Sequence, residues 1–346
     1  MSKFKKSRKN AAPAKIADVA RMAGVSSATV SRTLANPAIV TESTRSRVMA
    51  AVRKCGYTPN IAARNLRARK SLMALVVVPN IANPFFAEVL RGIDLKLSAN
   101  GYGLIIANLD GSADKEARYV DLAAAGQVDG VLLLCGHIPQ GVSRSLFDAN
   151  VPIVAACETI PGAAIPQVEV DNRAASRAAV RHLVELGHRR IGYLSGPSIN
   201  VLDKARRAGF MDVLGSLRPA AVWEGDFTFA AGVGAARRML DMPATRRPTA
   251  VFAANDEMAI GFLKTAHAAG MSIPDDLSIV GFDAIEYAEY CEPTLTTIYQ
   301  PRLEIGMHAA DQLVRLMTAP ESSRPEIIRL ETRLLVRGST GTAPAP

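Results

Sequence analysis

The amino-acid sequence predicts an α/β protein that begins with an all-α helix-turn-helix domain and continues as two doubly wound parallel-sheet lobes. Three observations support this fold class. The first 70 residues carry 16 Lys or Arg and only two acidic residues, whereas the remaining 276 carry 25 basic and 30 acidic residues. Apolar residues between Ile16 and Cys55 recur at helical spacing. From Ser71 onward, short apolar runs alternate with helical stretches, which is typical of parallel sheets covered on both faces.

The length of 346 residues allows two or three domains. We place the predicted boundaries where the charge and the apolar pattern change. Residues 1–12 are expected to form a disordered basic tail and residues 13–58 the helix-turn-helix domain. Residues 59–70 are predicted to form a hinge helix or linker, 71–340 a two-lobed domain, and 341–346 a short tail.

The basic end predicts a polyanionic partner. Its net charge of +14 contrasts with −5 for the rest of the chain, so only one end of the protein should bind that partner. Neutralising phosphates releases condensed counterions, and the binding of DNA or RNA by this end should therefore depend on salt.

Two short helices are predicted within the basic end. Residues 15–23 have an amphipathic helical pattern, Gly24 supplies a turn, and Ser26 or Ser27 can cap a second helix over 28–34. Two such helices joined by a glycine turn form a helix-turn-helix, whose second helix enters the major groove. Taken alone, the pair is a weak motif, and the alternative is a fragment of a helical bundle.

The second helix has an outward face of small and hydroxylated residues with one guanidinium. The predicted DNA contacts on it are Ser27, Ala28, Thr29, Ser31 and Arg32. Small residues allow close approach to the bases, and Arg32 can reach guanine O6 and N7. A third helix should follow, with Thr41 as its N-cap and Gly56 at its C-terminal end.

The predicted linker is polar except for a few apolar residues, and one of these, Leu66, is expected to be exposed. Pro59 can open a short helix over residues 61–67, which is too short to be stable alone and would form when docked on DNA. Leu66 would then insert between base steps in the minor groove, and we include Arg64 among the DNA contacts. The alternative is that Leu66 packs on the following domain.

The body has the pattern of two doubly wound halves. Strands are expected at residues 73–79, 102–107, 130–135 and 151–156, and then at 190–194, 220–226, 249–254 and 277–282. Helices are expected at 86–98, 115–125, 140–149, 174–186, 205–214, 230–240, 257–269 and 302–317. Two such halves imply a cleft, with ligand groups on loops at the carboxyl ends of the strands.

Several of these loops carry polar and aromatic side chains suited to a ligand. The predicted cleft residues are Asn83, Phe85, Phe86, Arg206, Phe227, Asn255 and Asp283. Aromatic faces for a ring and bidentate groups for hydroxyls suit a polyhydroxylated ligand. Helix capping is an alternative for Asn255 and the neighbouring Asp256, and a structural role is an alternative for Asp283.

The sequence gives no reason to propose catalysis, a metal or a cofactor. No metalloprotease, nucleophile-elbow or phosphate-loop motif occurs, and the five histidines do not cluster at metal-ligand spacing. The four cysteines are scattered, which suits a reduced cytosol. Apolar runs are too short to span a bilayer, and no secretory signal is visible. We therefore expect a cytoplasmic protein associated with the nucleoid.

The motifs and their order resemble the LacI/GalR family of bacterial transcription repressors. The resemblance covers nearly the whole chain. It rests on IADVARMAGVSSATVSR (16–32), PNIAARNL (59–66), NPFF (83–86), VDG (128–130), GHRRIG (187–192), PTAVF (248–252), DEMA (256–259) and LTTI (295–298). Within the family, the chain is most similar to the cytidine-repressor-like branch.

This resemblance implies roles for individual residues. Ser27, Ala28 and Arg32 would be the main base readers and Leu66 the minor-groove wedge. In the cleft, Arg206 and Asp283 would clamp the effector, Phe86 and Phe227 would pack on it, and Asn255 would bind a hydroxyl.

The resemblance also implies the overall organisation, with a body like periplasmic binding proteins. The first lobe would contain residues 71–168 and 299–326, and the second 169–298 and 327–340. The chain would be a homodimeric repressor controlled by a nucleoside or sugar. The alternatives are a sugar-binding protein, or a sugar- or nucleoside-processing enzyme, without a role on DNA.

Overall fold

The computed structural model of the chain describes residues 14–57, 70–215, 218–319 and 325–345. The chain divides into two compact units, Met1–Lys70 and Ser71–Pro346. Residues 1–12 and 59–69 of the predicted tail and hinge lie outside the described residues, and Arg64 and Leu66 are among them.

In its described residues, the first unit contains three α-helices, α1 (Ile16–Ala23), α2 (Ser27–Ala35) and α3 (Glu42–Cys55), with a 3-10 turn at Pro37–Ile39. The predicted helices are therefore observed, with ends shifted by at most one residue. Gly24 ends α1 with a φ of 61°, and the hydroxyl of Ser26 accepts a hydrogen bond from the amide of Thr29 at 3.1 Å to cap α2. A small apolar core closes the unit, formed by Val19, Ala20, Ala23, Val30, Val48 and Ala51.

The first lobe of the second unit is a six-stranded parallel sheet. Its strands are β1 (Met73–Val78), β2 (Gly103–Asn108), β3 (Gly130–Leu133), β4 (Ile153–Ala156), β5 (Gln167–Val170) and β11 (Ile327–Leu330), in the order β11-β5-β4-β3-β1-β2. Its helices are α4 (Phe85–Ala99), α5 (Ala113–Ala124) and α11 (Arg302–Thr318). The central strands β1, β3 and β4 are apolar and buried, as expected for a sheet that is covered on both faces, whereas the edge strands β2 and β11 are partly exposed.

The second lobe repeats this architecture. Its strands are β6 (Ile191–Ser195), β7 (Ala221–Glu224), β8 (Ala250–Ala253), β9 (Ser278–Asp283), β10 (Thr296–Tyr299) and β12 (Arg333–Leu335), in the order β12-β10-β9-β8-β6-β7. All pairs are parallel except β10 with β12. Its helices are α6 (Asn172–Glu185), α7 (Val201–Leu214), α8 (Phe229–Leu240), α9 (Asp256–Ala268) and α10 (Tyr287–Tyr290). The two sheets confirm the predicted fold class.

The chain crosses between the lobes three times, and one crossing differs from the prediction. Residues 327–340 were expected in the second lobe, but Ile327–Leu330 pairs in parallel with Gln167–Val170 at the edge of the first sheet. The last crossing therefore lies between Leu330 and Arg333. The first lobe also extends to Val170, two residues beyond the expected boundary.

The helix predicted at residues 140–149 is wrong. Gln140 and Ser145 form an isolated β-bridge, and the amide of Gly141 donates to the carbonyl of Arg144 at 2.8 Å. Only Leu146–Ala149 is helical, as a single 3-10 turn. Turn formation therefore prevails over the apolar spacing that favoured a helix.

Close helix packing in the first lobe depends on glycine. A Cβ atom placed on Gly92 of α4 would lie 2.1 Å from the carbonyl oxygen of Leu303, and one on Gly306 of α11 would lie 2.1 Å from that of Val89. Neither position can hold a side chain unless the two helices separate. No helix in the described part of the chain is long and apolar enough to cross a membrane.

Residues 341–345, which were expected to form part of a free tail, are attached to the second lobe. The amide of Ala343 donates to the carbonyl of Leu186 at 2.8 Å, and that of Gly341 donates to the hydroxyl of Ser278 at 3.0 Å. Just upstream, the buried hydroxyl of Ser339 donates to the carbonyl of Ile279 at 2.6 Å.

Candidate functional site

A cavity of about 580 Å³ lies between the two lobes and is lined by loops at the carboxyl ends of strands from both sheets. The structure brings all seven predicted cleft residues to this one cavity, namely Asn83, Phe85, Phe86, Arg206, Phe227, Asn255 and Asp283. They come from loops after β1, β7 and β8, from the last residue of β9, and from helices α4 and α7. This placement is the one expected for a ligand site in doubly wound folds.

The guanidinium of Arg206 is buried and contacts three other residues. Its Nε donates to Oδ1 of Asn172 at 2.9 Å, and its Nη1 donates to the carbonyl of Ala254 at 2.5 Å. Its guanidinium carbon also lies 3.8 Å from the centre of the Phe282 ring. The fork of Arg206 is therefore fixed in orientation before any ligand arrives.

Asp283 lies beside this guanidinium at the end of β9. Its Oδ1 is 3.6 Å from Nη2 of Arg206 and accepts a hydrogen bond from Nε2 of Gln300 at 2.7 Å. Burial raises the pKa of Asp283 to about 6, although Arg206 and the Gln300 hydrogen bond act in the opposite direction. Its φ of 117° is uncommon for a residue with a side chain, and such strain is often found at functional sites.

The amide of Asn255 is occupied by the protein itself. Its Oδ1 accepts from the backbone amide of Met258 at 3.0 Å and caps α9, while its Nδ2 donates to the carbonyl of Phe227 at 2.9 Å. The capping alternative is thus observed. Asn255 also fixes the backbone that carries Phe227, whose φ is 67°.

Neighbouring Asp256 is structural as well, because its carboxylate accepts hydrogen bonds from the amide of Ile285 and the hydroxyl of Thr297. On the first lobe, Oδ1 of Asn83 accepts from the amide of Phe85 at 2.9 Å and so shapes the start of α4.

Aromatic rings form two walls of the cavity. Phe85 and Phe86 meet edge to face, with ring centres 5.2 Å apart, at the start of α4. Across the cleft, the ring of Phe227 lies over Gly196, where a Cβ would come within 2.1 Å of a ring carbon. The glycine therefore allows the ring its position.

Sequence reasoning missed a polar contact that spans the two lobes. Glu158 follows β4 in the first lobe, and its carboxylate accepts from the amide of Gly136 at 2.9 Å and from Nδ2 of Asn200 at 3.3 Å. Asn200 belongs to the second lobe, where its Oδ1 accepts from the amide of Leu202 at 2.8 Å and caps α7. Burial raises the pKa of Glu158, and the hydrogen bond from Asn200 lowers it.

Gln300 and Glu257 were also missed. Both line the cavity, Gln300 directly after β10 and Glu257 in the first turn of α9. The signal that could have found Glu158 and Gln300 is their position one or two residues beyond a strand end.

The exposed face of α2 carries most of the predicted DNA contacts. Ser27, Ala28, Ser31 and Arg32 are exposed. Thr29 is half-buried, and its hydroxyl lies 2.9 Å from that of Ser26 at the cap. This face therefore offers one guanidinium among small side chains, as a helix that approaches base edges requires.

No group of three or more potential metal ligands was found among the described residues. The chain has four cysteines, and all are free thiols.

Comparisons with known proteins match both units. Residues 15–60 match the description "Bacterial regulatory proteins, lacI family", and residues 180–340 match "Periplasmic binding protein-like domain". The HTH-type transcriptional repressor CytR of Escherichia coli K12 is 39% identical over 98% of this chain and 100% of its own length. Catabolite control protein A of Priestia megaterium is 34% identical over 94% of this chain and 98% of its own.

Among solved structures, the lac repressor dimer bound to operator and the anti-inducer ONPF has a TM-score of 0.83. It is 27% identical and covers 95% of this chain and 99% of its own. A complex of the transcriptional regulator CelR with cellobiose has a TM-score of 0.71 and 33% identity, covering 94% of this chain and 99% of its own.

Proposed function

Since the chain belongs to the lacI family of bacterial regulatory proteins, we propose that it represses transcription at specific operators under the control of a small molecule bound between its lobes. The predicted family resemblance, including its cytidine-repressor-like branch, is confirmed by the 39% identical repressor that matches 98% of the chain. The protein is a DNA-binding regulator with an effector site. We propose that it acts by binding alone, without catalysis.

The DNA-binding role is assigned to the exposed face of α2. Ser27, Ala28, Thr29, Ser31 and Arg32 are proposed to contact the major groove, with Arg32 reading guanine. The +14 charge of the first 70 residues supports this assignment, because it supplies the phosphate contacts that position the helix. Arg64 and Leu66 are proposed to contact the minor groove, by analogy with the family pattern that they match.

The effector role is assigned to the cavity, and the observation that carries it is the convergence of seven predicted residues there. A volume of about 580 Å³ is within the range of small-molecule sites. Arg206 and Asp283 are proposed to clamp hydroxyl groups, and Phe86 and Phe227 to pack on a ring. Asn255 contributes through its hold on Phe227, and Asn83 and Phe85 through the shape of the first-lobe wall. We propose a nucleoside or a sugar as the effector.

Control of DNA binding would come from the two lobes. A bound effector would change the angle between the lobes. This change would alter the surface through which two copies of the chain form a homodimer, and thereby the hinge segment that carries Leu66. Such coupling needs only different effector affinities for two states of the body, typically about 1–3 kcal/mol. A homodimer suits a palindromic operator with two half-sites. We propose that the protein acts in the bacterial cytoplasm, on the nucleoid.

Salt-dependent DNA retention tests the DNA-binding part of the proposal. The full chain is applied to immobilised duplex DNA and eluted with increasing salt, beside a truncated chain that begins at Ser71. We expect retention of the full chain only, with elution at raised salt. A chain that is not retained at low salt would instead be a sugar-binding protein or a sugar- or nucleoside-processing enzyme without a role on DNA.

A thermal-shift screen of the full chain tests the effector part. Pentoses, hexoses, and pyrimidine and purine nucleosides are the probes, because a ligand that binds only the folded state raises its melting temperature. A nucleoside that raises the melting temperature, when no sugar does, would support the assignment to the cytidine-repressor-like branch. The absence of any shift would contradict the assignment of the cavity.

A further inference from the structure

We infer that Glu257 selects the effector. The cavity binds a molecule that has no anionic group and that donates a hydrogen bond from a hydroxyl or an amino group to the carboxyl of Glu257. The inference rests on the proposed effector role of the cavity and adds the chemical class of the ligand. It excludes sugar phosphates and nucleotides.

The charges that line the cavity are strongly unbalanced. Five carboxyl groups contribute to its walls, those of Asp110, Glu158, Asp226, Glu257 and Asp283. Among the described lining residues, Arg206 is the single basic side chain, and its charge is already balanced by Asp283, whose Oδ1 lies 3.6 Å from its Nη2. Its remaining N–H groups can still donate to an uncharged hydroxyl. A phosphate would add negative charge to a cavity whose acidic groups already outnumber its one cation, and like charges at such distances repel.

Glu257 differs from the other four carboxyl groups in its surroundings. Asp110 pairs with Lys115, and Asp226 accepts from the amide and hydroxyl of Thr228. Glu158 and Asp283 accept from Asn200 and Gln300, as described above. The carboxyl group of Glu257, by contrast, makes no hydrogen bond or ion pair with any residue in the described part of the chain, and the only charges that shift its pKa are those of Asp283 and Asp226.

The Glu257 residue has little contact with bulk water. It is only 8% exposed and lines the cavity. A ligand that fills the cavity would displace water from this carboxyl group, and a polar group that loses water without gaining a partner is costly. A donor on the bound ligand avoids this cost, because it satisfies the carboxyl when the cavity is filled.

Matched pairs of probes test the excluded class. The full chain is titrated by calorimetry with cytidine, adenosine, ribose and glucose, and with cytidine and adenosine 5′-monophosphates, ribose 5-phosphate and glucose 6-phosphate. We expect at least one uncharged probe to bind, and its phosphorylated counterpart to bind at least about 100-fold more weakly. The inference is overturned if a phosphorylated probe binds as tightly as its counterpart, or if no uncharged probe binds.

Glu257→Gln tests the residue itself, with Glu292→Gln as the matched control. Both remove one carboxylate from the second lobe, but Glu292 is exposed and does not line the cavity. At pH 8, where Glu257 is ionised, we expect Glu257→Gln to lower affinity for the bound probe by about 10-fold or more, because a hydrogen bond to a charged group is lost. The ratio of the affinities for this probe and for its phosphorylated counterpart should also become smaller. Glu292→Gln should change neither value.

DNA binding without any probe separates the two proposals. Suppose that Glu257→Gln binds the duplex as tightly as the wild type does, and that its affinities for the probe and for the phosphorylated probe are also unchanged. This result would overturn the role of Glu257 but leave the proposed DNA-binding function standing. A wild-type chain that fails to bind DNA would refute the proposed function itself, whatever probes it binds.

Discussion

The ionisation of Glu257 should make the second lobe less stable as pH rises. Burial, together with Asp283 and Asp226, raises the pKa of this carboxyl from 4.5 to about 7. The folded lobe therefore retains a proton that the unfolded chain has released, and the stabilisation is complete below pH 4.5 and lost as pH rises toward 7. At about 1.4 kcal/mol per pKa unit, the total loss is about 3 kcal/mol.

Glu257→Gln removes this loss, because the amide resembles the protonated acid and does not ionise. Near pH 5 the variant and the wild type should differ by less than about 1 kcal/mol, since the folded wild type is then mostly protonated. At pH 8 the variant should be more stable by about 3 kcal/mol. Asp283 titrates in both proteins, so its contribution largely cancels in the difference.

Urea unfolding followed by tryptophan fluorescence measures this difference. The chain has a single tryptophan, Trp223, which is buried in β7 of the same lobe as Glu257. Its fluorescence therefore reports on the unfolding of that lobe. Free energies of unfolding are obtained for both proteins at several values between pH 5 and pH 8. A difference that stays constant over this interval would refute the reasoning.

Three further results are expected. Arg206→Lys keeps the charge but loses the planar fork, so it should weaken effector binding about 10-fold or more in calorimetry, with DNA affinity in the absence of ligand unchanged; a normal effector affinity would contradict the clamp. Leu66→Ala should weaken binding to specific duplexes in fluorescence anisotropy and leave effector binding intact; unchanged DNA affinity would count against the wedge. Gly306→Ala should lower the free energy of unfolding by about 1–3 kcal/mol, because its Cβ would lie 2.1 Å from the carbonyl oxygen of Val89. Gly234→Ala in α8, where a Cβ has open space, should be neutral or stabilising by up to about 1 kcal/mol; equal losses in both variants would refute the packing argument.

The sequence predicted the two-lobed fold well because the strands of the body are buried on both faces. Runs such as Met73–Val78 are continuously apolar and are therefore easy to recognise. Ile327–Leu330 gave no such signal, since it is an edge strand with alternating exposure, and it was assigned to the wrong lobe. At residues 140–149, local turn bonds decided the structure, and apolar spacing was a poor guide.

The sequence predicted which residues line the cavity, but it could not predict the contacts that they make. Loops at strand ends identified residues that converge on the cavity, but they could not show what each side chain contacts. Asn255 illustrates this limit, because its amide caps a helix and also holds Phe227. The contact of Glu158 with Asn200 joins two lobes across 42 residues of chain, and no local pattern indicates it.

The central claim is that a ligand in the cavity controls binding to DNA. The most direct test measures the affinity of the full chain for a palindromic duplex, selected by the protein from a random pool, with and without the probe that raises its melting temperature. We predict an affinity change of about 5- to 150-fold, which corresponds to about 1–3 kcal/mol of coupling. An affinity for the selected duplex that is the same at zero and saturating probe would contradict the account.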